Sequence, residues 1–369
     1  MNNNSLFYAS DADIYDALYS TKKRVTINLL VEILRGRGII VSEEANREHL
    51  VDYISSLPHD YNDYTHLIET VSSSARSEKT ASTSLSEVVK KEEIDNAFES
   101  LKLARDNNNE AYSMAIIDNK VIIDVQYTEI DRSMTRLRQR THKEAKIEIE
   151  IVDGKTKIRH PANDRVHDIV DTIIDKIEQQ KTGPMEKESL DFSGIPSHEI
   201  RSDFFKRLIS SIEGYKLHGV TKINVNHADT TNTTDDDASS DDDYSAAEQE
   251  LVGIVENAIL KGESLLSSKE FQSLAQSGFY ITSIRWTAEK QSTPRSKLEF
   301  EAQFHNAKDC THFRYNVLGV YTGLDQGYTQ NRKQLKPHEK TQYLRLIENT
   351  AQRVYSSIRE EQHNAKPII

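Results

Sequence analysis

The sequence predicts an α+β protein, with a small helical N-terminal module followed by two α+β lobes built on antiparallel sheets. Three observations lead there. Residues 147–151 alternate isoleucine and glutamate, the period of two of a half-buried strand. Val166, Ile169, Val170, Ile173 and Ile177 step by three and four, the period of a helix with one apolar face. Strand patterns at 280–286, 298–304 and 313–321 then follow one another with no helical pattern between them, before a long helix beginning at Pro337.

In the N-terminal module, Ile27, Leu30, Val31 and Leu34 recur at helical spacing, preceded by Lys22, Lys23 and Arg24. Gly36 and Gly38 flank Arg37 where this helix should stop, because glycine takes the left-handed C-terminal conformation without a Cβ clash. Ile39 to Val41 is a β-branched run fit for one extended crossing. Ser42 is expected to cap a second helix, with Glu43 and Glu44 in its first turn and Leu50, Tyr53, Ile54 and Leu57 as its apolar face; Pro58 ends it.

Leu30, Ile33 and Leu34, then Arg37-Gly38-Ile39, Ser42, Leu50 and Ile54 resemble the SAP-type helix–extended–helix module over residues 27–57. The resemblance implies a nucleic-acid-binding surface, with Lys22, Lys23, Arg24, Arg35 and Arg37 as its cations. Family members usually carry glycine and lysine after the serine. Here Glu43-Glu44-Ala45 takes that place and weakens the phosphate contact. The same residues also suit two helices that cap a larger domain. With Ala12, Tyr15 and Leu18 as a preceding helix, they suit a winged-helix-like variant.

The length of 369 residues is enough for two or three domains with real cores. Apolar residues make up 36% and charged residues 29%, with a mean hydropathy of −0.66, so part of the chain should be linker. No apolar run approaches the ~20 residues of a membrane span, and the start MNNNSLFYASDAD lacks the regions of a signal peptide. The single cysteine, Cys310, excludes an internal disulfide and a cysteine-built zinc site, and a reducing cytoplasm is the expected location. Net charge is −12, but residues 132–159 hold nine Lys/Arg against four Asp/Glu. A local patch, and not the mean, is what a phosphate backbone feels over a Debye length of ~8 Å.

Composition divides the chain into a helical module (1–71), a Ser/Thr-rich linker (72–84), a lobe with a basic hairpin (85–226), an acidic linker with two Asp triplets (227–245) and a second lobe (246–369). In the first lobe Ile94, Ala97, Phe98 and Leu101 mark a helix, and 112–117 and 121–127 flank the hairpin signal Asp118-Asn119-Lys120. Asp153-Gly154 turns the strand 146–152 back into 155–160, and Asn163 caps the helix that follows. A helix through Phe205, Leu208, Ile209 and Ile212 leads by Gly214 into a strand at 220–225. The second lobe should open with helices at 251–260 and 268–275. Its last helix carries a stripe of Leu344, Ile347, Ala351, Val354 and Ile358, suited to packing across the three-stranded sheet.

Three candidate chemistries remain. Metal-dependent nucleases place an aspartate on one strand and Glu-x-Lys on the next, the acids holding Mg²⁺ and the lysine orienting water; Asp124 or Asp131 followed by Glu144-Ala-Lys146 has that layout. Asp164, His167, Asp168 and Asp171 share one helix face, where a solvated acidic surface competes with a divalent-cation site. Cys310-Thr-His312 reads as a core or edge cysteine, since nucleophilic cysteines sit at helix starts. No dinucleotide or phosphate-loop motif occurs, so no cofactor is expected beyond Mg²⁺ under the nuclease alternative.

The basic stretch points to a partner instead. Arg132, Arg136, Arg138, Arg140 and Lys143 would feed a two-stranded ribbon on which Lys155, Lys157 and Arg159 share a face, suited to a phosphate backbone or to an acidic protein. Asp235–Asp243 would then be an internal, autoinhibitory match. The expected function is a non-catalytic or accessory nucleic-acid-associated protein of a cytoplasmic, microbial assembly, a defence system being one such. The alternatives are the Mg²⁺-dependent nuclease and a protein-interaction scaffold with no nucleic-acid binding. Limited proteolysis is expected to cut first within 72–84 and 227–245; protection of both segments in the free protein would overturn this domain map.

Overall fold

A computed structural model of the chain describes residues 9–42, 44–71, 78–105, 110–117, 120–152, 154–181, 185–195, 197–227, 257–261 and 265–365. The described chain begins with α1 (Asp11–Ser20), α2 (Ile27–Gly36), α3 (Arg47–Ser56) and α4 (Tyr61–Val71). Strand β1 (Thr80–Leu85) and helix α5 (Lys91–Arg105) precede β2 (Ala111–Ile117), β3 (Lys120–Ile130), β4 (Arg140–Val152) and β5 (Lys155–Pro161). Next come α6 (Asp164–Glu178), β6 (Lys187–Glu188), α7 (His198–Ser210), β7 (Tyr215–His227) and β8 (Asn257–Lys261). Helix α8 (Lys269–Gln276), strands β9 (Phe279–Lys290), β10 (Ser296–Asn306) and β11 (Thr311–Thr322), and helix α9 (Pro337–Ala365) complete the described chain, which is α+β as its sequence predicts.

Its contacts separate two units, Met1–Ser77 with Lys91–Ile147, and Glu78–Lys90 with Glu148–Ile369. In the first, α1 to α4 enclose Ile14, Leu18, Leu30, Leu34, Leu50, Ile54, Leu67 and Val71. Helix α2 ends as its glycines require: Gly38, at φ +77, donates to the Arg35 carbonyl, and Ile39 donates to that of Leu34, both at 2.9 Å. Helix α3 starts later than expected. Asn46 caps it through His49 N–H at 2.8 Å, while the Ser42 hydroxyl accepts Glu44 N–H in a local turn. Helix α4 has no counterpart among the sequence-based expectations.

In the second unit the strand order runs β4, β5, β1, β11, β10, β9, β7, β8, with β6 against β1, and every register described there is antiparallel. Strand β4 begins in the first unit, where it follows β3, and ends in the second. One sheet face carries Ile284, Trp286, Phe300, Ala302 and Phe304, covered by Phe204, Phe205 and Leu208 of α7 and by the predicted stripe of α9. Trp286 stacks on Phe300 with ring centroids 5.3 Å apart.

Two expectations are corrected here. Residues 80–84, assigned to the Ser/Thr-rich linker, form with Leu85 a strand paired residue by residue with β5 from Thr80↔Pro161 to Leu85↔Thr156. Backbone ladders do not need apolar alternation, and threonine suits the pleat, so such a strand hides from a hydropathy reading. Residues 257–260, expected in a helix, belong with Lys261 to β8, which pairs with β7. Residues 72–77 and 228–245, and with them Asp235–Asp243, lie outside the described residues.

Gly319 marks a close approach. Beside it Val320 and Lys333 exchange hydrogen bonds of 3.0 and 2.9 Å, and a Cβ at 319 would overlap the Lys333 carbonyl oxygen and lie 2.7 Å from Arg332 Cγ. Gly319→Ala is expected to cost roughly 1–3 kcal/mol through overpacking, read as a lower urea midpoint. An unchanged midpoint would mean that the 332–333 segment moves aside without cost.

Candidate nucleic-acid interface

The basic hairpin is built as its sequence predicts, but its cations are already matched. Register sets Glu148 opposite Arg159 and Glu150 opposite Lys157. Helix α9 adds Glu348, 189 residues away from Arg159 in sequence, which accepts from Arg159 Nε at 2.8 Å. Arg159 Nη1 lies 3.3 Å from Glu148, and Nη2 lies 3.3 Å from Glu150 and 2.7 Å from Glu348. Arg345 of α9 reaches Glu150 at 2.6 Å, Lys157 Nζ stands 3.5 Å from Glu348, and the Tyr315 hydroxyl donates to Glu348 at 2.8 Å.

Three cations thus face three carboxylates, with Arg159 only 6% and Glu348 only 4% exposed. Burial disfavours the charge on the Arg159 guanidinium, but Glu348, with Tyr315 and Glu150, outweighs it and holds the group's pKa above the usual arginine range. Burial raises the Tyr315 phenol well above its ordinary value, so it stays protonated and donates. Arg159 and Lys157 are therefore no open phosphate-binding face, which corrects the sequence expectation. Lys155, half exposed, pairs with Glu188 at 2.6 Å. Glu348 lies one residue past Ile347 of the α9 stripe, which places it near the packed face, but nothing local names Arg159 as its partner.

The other predicted cations belong to the first unit. Arg136–Arg138 form a single 3₁₀ turn whose middle residue, Leu137, is 4% exposed and belongs to the core of α1 to α4. That anchor puts Arg136 and Arg138 on the rim of the module. Arg136 lies 3.7 Å from Asp13 with a side chain 46% exposed. Partial burial opposes ionisation of Asp13, yet hydrogen bonds from Ser10 and the charge of Arg136 hold its carboxyl below the usual range.

Arg132 is exposed, Arg138 and Arg140 are half-buried, and Lys143 pairs with Glu129 at 2.6 Å. Lys22, Lys23, Arg24 and Arg35 are exposed, with Lys22 Nζ 4.7 Å from the centre of the Tyr19 ring. Arg37 is engaged in structure: it donates to the Pro58 carbonyl and approaches Asp63 at 3.5 Å, fastening the segment between α3 and α4. On the same module Val41, Ser42, Ala45, His49, Leu50, Asp52, Tyr53 and Ser56 line a depression of about 420 Å³.

The nuclease residues are partly brought together. Contacts of Gln126 with Glu144 (3.2 Å), Thr128 with His142 (3.0 Å) and Asp131 N–H with the Gln139 carbonyl (2.8 Å) fix one antiparallel register. In that register Asp124 stands across from Lys146 and diagonal to Glu144, all three exposed on one sheet face. Asp131 does not join them. It sits across from Gln139, five residues from Glu144 or ~17 Å of strand, and accepts from the Ser133 N–H and hydroxyl, which lower its pKa.

The acidic helix face also resolves into pairs: Asp164 with Arg314 at 3.5 Å and His167 with Asp171 at 3.4 Å. Cys310 is fully buried, and burial pushes its thiol up to about 12, as a core cysteine requires. Among the described residues no helix is long and apolar enough to cross a membrane. No protein-family model matches the chain, and no curated protein matches its sequence.

Glu348→Ala should leave the buried Arg159 with only the longer contacts to Glu148 and Glu150 and take from Lys157 and Tyr315 the carboxylate that Glu348 supplies, at a cost of up to about 3–5 kcal/mol in unfolding free energy. Paired with Arg159→Met in a double-mutant cycle, the two losses should fall well short of adding. Additive losses would show that the two side chains are energetically independent.

Proposed function

We propose that this protein is a non-catalytic nucleic-acid-associated factor whose phosphate contacts lie on the helical module and on the Arg132–Arg140 segment, acting in a cytoplasmic, microbial assembly such as a defence system. The burial of Leu137 in the module core carries this reading, because it holds Arg136 and Arg138 in the same unit as Lys22, Lys23, Arg24 and Arg35. A phosphate contact gains free energy by releasing condensed counterions, so it needs cations whose heads face water. The module has such cations. Strand β5 spends Lys157 and Arg159 on glutamates. The SAP-like segment 27–57 lies in the same unit and supports the same surface.

Two other readings keep specific support. Matched charges together with the depression beside Tyr53 suit a protein-interaction scaffold. Asp124, Glu144 and Lys146 on one exposed face suit an Mg²⁺-dependent nuclease, now without Asp131.

A labelled duplex titrated between 50 and 200 mM salt separates the three. Binding should weaken with log salt at about −0.9 per phosphate neutralised, and replacing Arg136 and Arg138 by alanine should flatten the slope by about two units. Lys155→Ala should leave the slope unchanged. Absence of salt-dependent binding would favour the scaffold. Cleavage that requires Mg²⁺ and vanishes in Glu144→Ala would establish the nuclease.

A further inference from the structure

The sheet of the second unit has a polar face behind its core. Ile284, Trp286, Phe300 and Ala302 point toward α7 and α9, so alternation sends Arg285 of β9 and Glu301 of β10 to the other side. Register sets Arg285 between Glu301 and Lys222 of β7, whose neighbour Ile223 belongs to the same core. Lys79, just before β1, reaches that row across β11. Its Nζ lies 3.6 Å from Glu301 and donates to Gln303.

Charge in this row is unbalanced. Glu301, 8% exposed, turns one oxygen to Arg285 Nη2 at 3.1 Å and the other to Lys79. Lys222 makes no ion pair among the described residues, and Arg285 Nε has no hydrogen-bond partner. The row thus holds three cations and one carboxylate. The rows on either side are matched: Glu299 is taken by Arg332 at 2.6 Å, and Arg314, across from Gln303, lies 3.5 Å from Asp164. Burial pushes the Lys79 ammonium below its ordinary range; Glu301 opposes this, and the charges of Arg285 and Lys222 add to it. The three heads are close enough to repel one another.

We propose that Lys79, Lys222 and Arg285 form a site for a phosphate group on the polar face of this sheet. A surplus of two positive charges suits inorganic phosphate or a phosphate monoester, which carries about −1.5 to −2 at neutral pH. A carboxylate would leave half of that surplus unmet. Residues paired across adjacent strands have Cβ atoms ~4.5–5.5 Å apart, so one phosphate can accept from the Arg285 and Lys222 heads together. The Lys79 and Arg285 side chains are 25% and 35% exposed, which orders their stems and leaves part of each side chain open to solvent. All of these residues lie in the second unit, so the site is independent of the helical module.

Inorganic phosphate is titrated into the full chain by calorimetry, with NaCl holding the ionic strength constant. One phosphate per chain is expected. Lys222→Ala changes a half-buried position without an ion pair and should fold normally. It should weaken binding by about tenfold or more, the cost of one hydrogen bond to a charged group. Arg285→Ala should do the same where circular dichroism shows a native fold. Joint replacement of Arg136 and Arg138 by alanine should leave phosphate binding unchanged, so failure of the module as a nucleic-acid surface would not touch this site. Displacement of the phosphate by a 5′-phosphorylated oligonucleotide, and not by the same strand without its terminal phosphate, would make a nucleic-acid end the source. Displacement by neither strand would leave free phosphate compounds as the ligands. Absence of saturable phosphate binding, or equal affinity in Lys222→Ala, would overturn the site.

Discussion

A guanidinium that is 6% exposed must be met by carboxylates, and Arg159 is met from two directions at once. Glu148 and Glu150 come from the neighbouring strand, and Glu348 comes from the last helix. Meeting that demand fixes the register of β4 on β5, because a slip of one residue would carry both glutamates to the opposite face. It also fixes where α9 lies, since Glu348 and Arg345 enter the same network from one helix face. Tyr355 and Arg353 add further ties from α9, donating to the Asp191 and Ser211 carbonyls at 2.7 and 2.9 Å. Apolar burial along the α9 stripe supplies most of the attraction, but it is nondirectional. The charges specify which face and which register.

The first unit solves a similar problem with an apolar side chain. Leu137 sits in a run of arginines, and its burial in the helical core closes a connection between a segment beyond β3 and helices that begin more than a hundred residues earlier. The same core makes the unit discontinuous in sequence. The chain leaves it after residue 77, contributes β1 to the other unit between β5 and β11, and returns at α5. Cations on the 3₁₀ turn are thereby held on a folded surface, where ordering them costs less entropy on binding than it would on a loose loop.

Net charge of −12 says little about where charge is usable. Lysines and arginines that look alike in sequence divide into those neutralised by a buried carboxylate, such as Arg159, those fastened to the backbone, such as Arg37, and those facing water, such as Lys23 and Arg132. Only the last kind has a solvent-facing head with which to meet a phosphate.

Elements whose signal is local could be read from the chain. Helix α6 follows from its 3.6-residue period and its Asn163 cap, β9 to β11 from their runs of apolar and β-branched residues, and the β4–β5 turn from Gly154, found at φ +77. Strand β1 escaped because its pairing is made by backbone groups and its Ser/Thr side chains carry no apolar period. Ser42 and Asn46 are equally good caps on paper, and the path of the chain after Gly38 chose Asn46. The basic ribbon shows the division most plainly. Alternation along β5 placed Lys157 and Arg159 on one face, which is a property of neighbouring residues. Whether that face met solvent depended on Glu348, brought there from 189 residues away by the packing of α9, and a contact of that kind leaves no trace in local sequence because it exists only once the chain has folded.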